Sequence, residues 1–387
     1  MKAPLGIGLV GSGFISWVHY KAMKDNPKAK IVAHADIDTV RGKGFIEEYG
    51  IPKTYDSHEK LVADPEVDVI VVGVPNDLHY RVTMDALNAG KHVICEKPLA
   101  LTLEDAREMV ATAEAKGLVL GYAEELCFAP KYKEAKRLLE SGGIGEPYSV
   151  RQCEKHDGPY SPWFFRRETA GGGITMDMGC HAIETIRWVL GKKKVTAVTA
   201  HMSTVSWDMK KVLSKFGGVD PVLDAQEKPL EDNVIVLMDF EGGILGQAES
   251  SWALQGGMDS TLELFGTEGV VHADILKGSW LRAYSEKGFP DMWEPNQGWC
   301  HPSWEWDLNN GYPQEDDHFL DCMLNGTTPI ETGQDGFDVL EIMLAAYHSA
   351  GTGQKVTLPF RPKGVERPVD LWLNPRPELG AGPIDEV

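Results

Sequence analysis

The stretch Gly8-Leu9-Val10-Gly11-Ser12-Gly13-Phe14-Ile15-Ser16 decides how this chain is read. It leaves a short apolar run, Leu5 to Val10, and enters a helical pattern, Ile15 to Met23. Gly11 permits a tight turn and Gly13 lets a pyrophosphate approach the backbone. The helix start at Phe14 and Ile15 supplies amide donors and the positive end of a dipole. The third position of the fingerprint is Ser16, where glycine or alanine is usual. Serine is small enough to keep helix and strand close. Asp36 closes the next apolar run, Lys30 to Ala35, where a carboxylate accepts hydrogen bonds from an adenosine ribose. Asp36 and Asp38 repel a 2′-phosphate, which favours NAD over NADP, although Arg41 stands close enough to counter part of this.

Working outward, strand and helix patterns alternate as far as Ala123. Val40 to Tyr49 is a helical pattern stopped by Gly50, Val67 to Val72 a strand, and His79 to Ala89 a helix closed by Gly90. His92 to Cys95 is a strand, Leu103 to Lys116 a helix and Leu118 to Tyr122 a strand. Repeated units of this kind predict an α/β fold with a parallel, doubly wound sheet. Beyond Ala123 the pattern changes to β-type runs joined by short turns: Ser149 to Glu154, Val195 to His201, Asn233 to Phe240, Ile244 to Trp252, Ser260 to Phe265 and Gly269 to Ala273. These predict a second α/β domain with a large, open, mainly antiparallel sheet. Pro130 to Ser141, Ile174 to Leu190, Gln314 to Leu324 and Asp335 to Ser349 read as its helices. The expected organisation is residues 1–123, residues 124–362 and a proline-rich tail, 363–387, either lying on another subunit or partly disordered.

Composition limits the partners. The 387 residues are 42% hydrophobic and 25% charged, an ordinary globular balance, and the formal net charge is -20. Such a chain repels phosphate backbones, so no nucleic-acid partner is expected. No stretch has the apolar length of a membrane span, and the N-terminus shows neither an apolar signal region nor a cleavage site, so a cytoplasmic protein is expected. The six cysteines are scattered without a CxxC pair and read as reduced thiols.

Three further motifs carry chemistry. Glu96-Lys97-Pro98 follows a strand, and ligands bind at the carboxyl ends of strands in such sheets, where a lysine can transfer a proton beside a nicotinamide. Pro75-Asn76 with His79 ends the third strand; Asn76 has an amide to offer a cofactor, and a Pro-Asn turn with a cap explains the motif equally. Asp177 and His181 are spaced i,i+4, which puts carboxylate and imidazole on one helix face, after a Gly171-Gly172-Gly173 run that gives backbone freedom near a ligand. Tyr160 to Arg167, including Trp163, and a second cluster from Met292 to Trp306 read as aromatic surfaces for a sugar or a nicotinamide, or equally as packing. His156 opens the first of these loops.

Taken in order, these elements resemble the Gfo/Idh/MocA family of oxidoreductases, from Leu5 to about Phe360. The resemblance rests on Gly11-Ser12-Gly13 with Asp36, Pro75-Asn76 with His79, Glu96-Lys97-Pro98, and Gly171 to His181. It implies an N-terminal Rossmann domain binding NAD through Gly11, Gly13, Phe14, Ile15, Asp36, Pro75, Asn76, His79, Glu96 and Lys97. It implies catalysis by Lys97, Asp177 and His181, with His156 and Trp163 beside the substrate. The implied reaction is hydride transfer from a ring hydroxyl carbon of a sugar, inositol or sugar derivative, in a homodimer or homotetramer joined through the open sheet. One departure is Cys127-Phe128-Ala129-Pro130, where the family usually carries an arginine, preceded by Glu124-Glu125. Glu124 or Glu125, His156 and His181 have the donor types to converge on a metal, but they come from separate segments, spacing alone does not establish such a site, and no metal is assigned. The alternatives are a redox-neutral enzyme that cleaves a glycoside through transient oxidation, and a non-catalytic nucleotide-binding sensor.

Overall fold

A computed structural model of the chain describes residues 2–159, 161–205, 230–276 and 309–380, with the backbone of 283–285 and 298–300. Tyr160, the side chains of the Met292–Trp306 cluster and residues 381–387 lie outside the described residues.

The first six strands are β1 (Leu5–Val10), β2 (Ala29–Ala35), β3 (Thr54–Tyr55), β4 (Val69–Val72), β5 (His92–Glu96) and β6 (Leu120–Ala123). They form one parallel sheet in the order β3-β2-β1-β4-β5-β6. Strands β1, β4, β5 and β6 are buried at every residue, which is why they read as continuous apolar runs and not as alternating ones. Helices Phe14–Met23 and Thr39–Tyr49 cover one face, and a much later helix, Tyr312–Asn325, completes that layer by packing Phe319, Leu320 and Met323 on Ile94 and Ala123. Gly121 is required in β6 because a Cβ there would lie 2.7 Å from the Phe319 ring. Helices His79–Asn88, Leu103–Lys116 and Gly333–Thr352 cover the other face. The strand order reverses between β1 and β4, so a crevice opens outside their carboxyl ends.

The second sheet is built from β7 (Pro147–Lys155), β8 (Val195–Ser203), β9 (Asn233–Phe240), β10 (Leu245–Ser251), β11 (Asp259–Gly266) and β12 (Val270–Asp274). A short pair, β13 (Ala283–Ser285) and β14 (Gly298–Cys300), stands apart, and β15 (Val356–Thr357) adds to β8. The order is β12-β11-β7-β10-β9-β8-β15, antiparallel throughout except where β10 runs parallel to β7. In β9 every second residue is buried, so Val234, Val236, Met238 and Phe240 face the core. Helix Cys180–Val189, buried along its whole length, packs on this face.

Two expectations are corrected here. The helix read over Ile174 to Leu190 begins as a π-helical turn, Thr175–Gly179, and becomes an α-helix only at Cys180. The tail, over its described part, packs on its own chain: Val369 and Leu371 are buried, the Val369 N–H donates to the Gly171 carbonyl, and Arg167 pairs with Asp370 at 2.5 Å. Cys95, Cys127, Cys180 and Cys322 are buried free thiols, and Cys153 is half-buried and free. No helix among the described residues is long and apolar enough to cross a membrane.

Candidate active site

The glycine loop between β1 and helix Phe14–Met23 has the shape its sequence requires. Gly11 takes φ +99, and a Cβ on it would stand 2.3 Å from the Gly73 carbonyl. A Cβ on Gly13 would meet nothing within 4 Å, so open space lies in front of the helix start, which has no side-chain cap. That space and the uncapped amides fit a pyrophosphate. Ser16 is fully buried against Gly73, whose own missing Cβ would lie 2.6 Å from the Ser16 hydroxyl. The small residue has therefore moved from the helix to the facing strand end, and the departure from the fingerprint is compensated. Asp36 is half-exposed, with one carboxylate oxygen accepting from the Asp38 N–H at 2.8 Å. Asp38 caps the next helix through the amides of Val40 and Arg41, so Asp36 is the carboxylate left to meet a ribose. Ile37 beside it is 81% exposed, an apolar surface for an adenine.

Lys97, at the end of β5, reaches across to the π-helical turn. Its Nζ donates to the Asp177 carbonyl at 2.7 Å and to Asp177 Oδ1 at 3.0 Å. Burial opposes the ammonium charge, but the surrounding carboxylates, Asp177 foremost, outweigh it and hold Lys97 above its ordinary value. Burial likewise opposes the Asp177 charge, and the Lys97 ammonium with His156 holds that carboxyl well below the usual range. Asp177 Oδ2 accepts from the Trp252 indole N–H at 3.0 Å, and His156 Nε2 lies 3.7 Å away. The Gly158 N–H donates to His156 Nδ1, so the ring proton sits on Nε2, aimed at Asp177.

His181 is not the partner of Asp177. The π-helical turn breaks the i,i+4 register, and His181 Nδ1 lies 2.6 Å from Glu124 Oε1 and 3.7 Å from Glu125 Oε2. Nε2 has no hydrogen-bond partner among the described residues. Glu124 is fully buried, and its Oε2 has no partner. Of the residues with metal-donor chemistry, Glu124 and His181 thus meet directly as a hydrogen-bonded pair, while His156 faces Asp177 instead. Tyr312 donates to Glu125 at 2.9 Å, and burial raises both Glu125 and Glu124 above ordinary carboxyls. Glu154, on the inner face of β7, is pushed by burial up to about 8.

Other residues of the motifs position backbone. Asn76 donates to the Ala170 carbonyl at 2.9 Å, and the His79 ring lies between the carbonyls of Pro98 (2.7 Å) and Val74 (2.9 Å), tying three loops together. The Asn76 amide nitrogen and both His79 ring nitrogens thus face protein carbonyls. Pro75 precedes the turn Asn76–Leu78. The glycine run serves close packing: a Cβ on Gly172 would meet the Tyr347 hydroxyl at 1.9 Å, and one on Gly173 the Glu231 carbonyl at 2.0 Å. Glu231 accepts from the amides of Gly173 and Thr175 and from Tyr347, and so fixes the start of the π-helical turn. Trp163 is half-buried, stacked on Phe164 at 3.8 Å. Glu96 is buried and bonds His19 at 2.9 Å and the Lys97 N–H at 3.2 Å, while His19 also contacts Asp316 at 3.0 Å. Sequence reasoning missed His19, Asp316, Trp252 and Glu231. Only His19 left a signal, a polar residue on the buried side of the first helix.

A nucleotide loop and a lysine at the carboxyl end of one parallel sheet, facing an aspartate and a histidine from a second domain, define a two-domain nicotinamide-dependent oxidoreductase. Residues 5–124 match the model of the Gfo/Idh/MocA oxidoreductase family, NAD-binding Rossmann fold, and residues 132–272 match the Gfo/Idh/MocA C-terminal domain. The chain belongs to this family, and it is an NAD-dependent oxidoreductase. Among curated relatives, it is 33% identical to 1,5-anhydro-D-fructose reductase of Ensifer adhaerens, over 68% of this chain and 73% of that one. It is 26% identical to scyllo-inositol 2-dehydrogenase (NAD(+)) of Bacillus subtilis, over 92% and 97%. Among solved structures, GenD2 from gentamicin A biosynthesis in complex with NAD is 35% identical, with a TM-score of 0.84 over 92% of this chain and 97% of that one. Levoglucosan dehydrogenase in complex with NADH and levoglucosan is 25% identical, with a TM-score of 0.75 over 92% and 99%.

Two outcomes are expected. Gly13→Ala fills open space, so stability of the NAD-free protein changes by no more than about 1 kcal/mol, while calorimetry shows NAD⁺ affinity falling about tenfold or more. Equal affinity would place the pyrophosphate elsewhere. Because the folded Glu154 carboxyl is raised, the folded chain holds its proton where the unfolded chain has lost it. Native stability therefore declines as pH rises from 4.5 to about 8. Glu154→Gln removes the Glu154 share of that decline, and urea titrations show the variant gaining on the native chain by up to about 1.4 kcal/mol per pH unit in this window. A gain that instead grows toward acid pH would refute the assignment.

Proposed function

We propose that the chain is a dehydrogenase that oxidises a ring hydroxyl of a sugar, inositol or sugar derivative. The observation that carries this is the meeting, at the carboxyl end of the parallel sheet, of a charged Lys97 held by Asp177 with a His181 whose Nε2 has no hydrogen-bond partner among the described residues. The backbone at Gly11 and Gly13 and the first-turn amides of Phe14 and Ile15 would hold the pyrophosphate of NAD, and Asp36 the adenosine ribose. When bound, NAD supplies the electrophilic ring carbon that accepts a hydride from the substrate. Lys97 donates a hydrogen bond to the reacting hydroxyl and stabilises the charge that develops on oxygen. His181 takes the hydroxyl proton on Nε2, because Nδ1 is engaged by Glu124. Asp177, fixed by Lys97, Trp252 and His156, keeps the ammonium charged and aimed. Trp163 and His156 flank the sugar face.

The named substrates of the similar proteins, a sugar ketone, an inositol and an anhydrosugar, support a carbohydrate or polyol substrate here. Tyr148, Leu245 and Val270 are exposed on the second sheet. They support a homodimer or homotetramer through that surface, and a monomeric mass by light scattering would contradict this reading.

Purified protein with NAD⁺ is expected to accumulate NADH on one class within a panel of aldoses, inositols, glycosides and acidic sugars, with a product lighter by two hydrogens. Lys97→Ala lowers kcat/KM by about 10³-fold and leaves NAD⁺ affinity within about threefold. Unchanged turnover would remove Lys97 from the role given. Bond cleavage without NADH would replace net oxidation by a transient one.

A further inference from the structure

We propose that Glu124 is the proton store of the reaction: as His181 takes the substrate proton on Nε2, the Nδ1 proton passes to Glu124 Oε1. The inference rests on the reading of His181 as the base and goes beyond it by giving Glu124 a role that neither the family match nor the similar proteins assign.

The geometry carries it. The Nδ1–Oε1 separation is 2.6 Å, short for a nitrogen–oxygen hydrogen bond, and both side chains are buried to within 3%. Glu125, the other acid near Nδ1, is farther at 3.7 Å and already accepts from Tyr312. Glu124 Oε2 receives no hydrogen bond. A buried carboxylate with one bare oxygen is poorly stabilised as an anion. An imidazolium beside it would add a second desolvated charge. Moving one proton by a few tenths of an ångström along the existing bond leaves a neutral imidazole and a neutral acid.

The surroundings point the same way. Lys97 and Glu96 face the pair from the end of β5, Tyr122 and Glu125 from β6 and the turn after it, and Glu154 from β7. Cys180 and Glu184 face it from the helix, and Glu331 from the far side. The one cation in this set beside the pair, Lys97, is already compensated by Asp177. Burial therefore dominates, and it raises Glu124 well above an ordinary carboxyl. The balance is complete. The substrate C–H leaves as a hydride with its electron pair to NAD⁺, the O–H proton goes to Nε2, and the Nδ1 proton goes to Oε1. The step starts above the raised Glu124 titration, with Glu124 ionised and the imidazole proton on Nδ1; the pair then gains one proton and changes charge from minus one to zero, and the proton returns to solvent after the product leaves. Glu124 acts through His181 and is a positioning residue.

The test uses the full chain loaded with NAD⁺ and needs no sugar. Histidine ¹⁵N resonances, assigned to His181 by loss in His181→Asn, are followed as pH falls, together with infrared difference spectra in the carboxylic C=O region. The expected result is a tautomer switch, Nδ1–H to Nε2–H, with a new protonated carboxyl band that vanishes in Glu124→Gln. In that variant the same step yields an imidazolium. Should Glu124→Gln fail to fold, Glu124→Asp keeps the acid and shifts the band. An imidazolium in the native chain, or a band unaffected by both variants, overturns the proposal. A sugar panel without turnover would sink the functional reading while leaving this readout intact, so the two fail separately.

Discussion

The buried pair of Lys97 and Asp177 is the constraint on which the rest of the site depends. Its two members come from different layers, one from the end of a parallel strand and one from a π-helical turn on the second sheet. Removing either partner from such a buried pair leaves an uncompensated charge, a cost of about 3–5 kcal/mol. Each neighbouring device keeps the pair in register. Glu231 fixes the turn from below through two amides, Trp252 and His156 fix the free carboxylate oxygen, and His79 holds the loop that carries Lys97. The pair also brings the crevice of the nucleotide sheet against the polar edge of the second sheet, so domain contact and chemistry share one interaction.

Around that pair the interior is rich in carboxyl groups and poor in cations. Glu96 is balanced by His19, whose two ring nitrogens both face carboxylates and which is therefore doubly protonated. For Glu124, Glu125 and Glu154, burial outweighs the nearby Lys97, already paired with Asp177, and raises all three. The same residue type thus has two characters within one site, an anion where a paired cation bonds it and a raised carboxyl where burial outweighs the nearby charge.

The fold was legible because its signals are local. Continuous apolar strands separated by helices stopped at Gly50 and Gly90 announce a parallel sheet, and the β-type runs after Ala123, joined by short turns, announce a mainly antiparallel one; that Asn233 to Phe240 buries only every second residue was not legible, because Val234 to Met238 are all apolar. Lys97, Asp177 and His181 each stood out from the sequence as residues able to do chemistry. Their pairing was not legible, because spacing assumes a regular α-helix and the π-helical turn changes which side chains meet. Asn76 and His79 looked like cofactor ligands from their place at a strand end; that Asn76 also donates to the Ala170 carbonyl, 94 residues away, and that the His79 ring sits between the carbonyls of Val74 and Pro98, no local pattern encodes. The role of Glu231 depends on a contact with Tyr347, 116 residues away, which no local pattern encodes.

The helix Tyr312–Asn325 has a consequence for biosynthesis. It closes one face of the nucleotide sheet, buries Phe319 against Gly121 and supplies Asp316 to His19. A ribosome delivers β6 long before it delivers this helix, so during that interval the apolar face of β5 and β6 stands uncovered and His19 lacks one of its two counter-charges. The nucleotide-binding half therefore cannot mature as an independent unit at its own C-terminal boundary. It must stay partly open, and in need of protection from association, until Asn325 has been made.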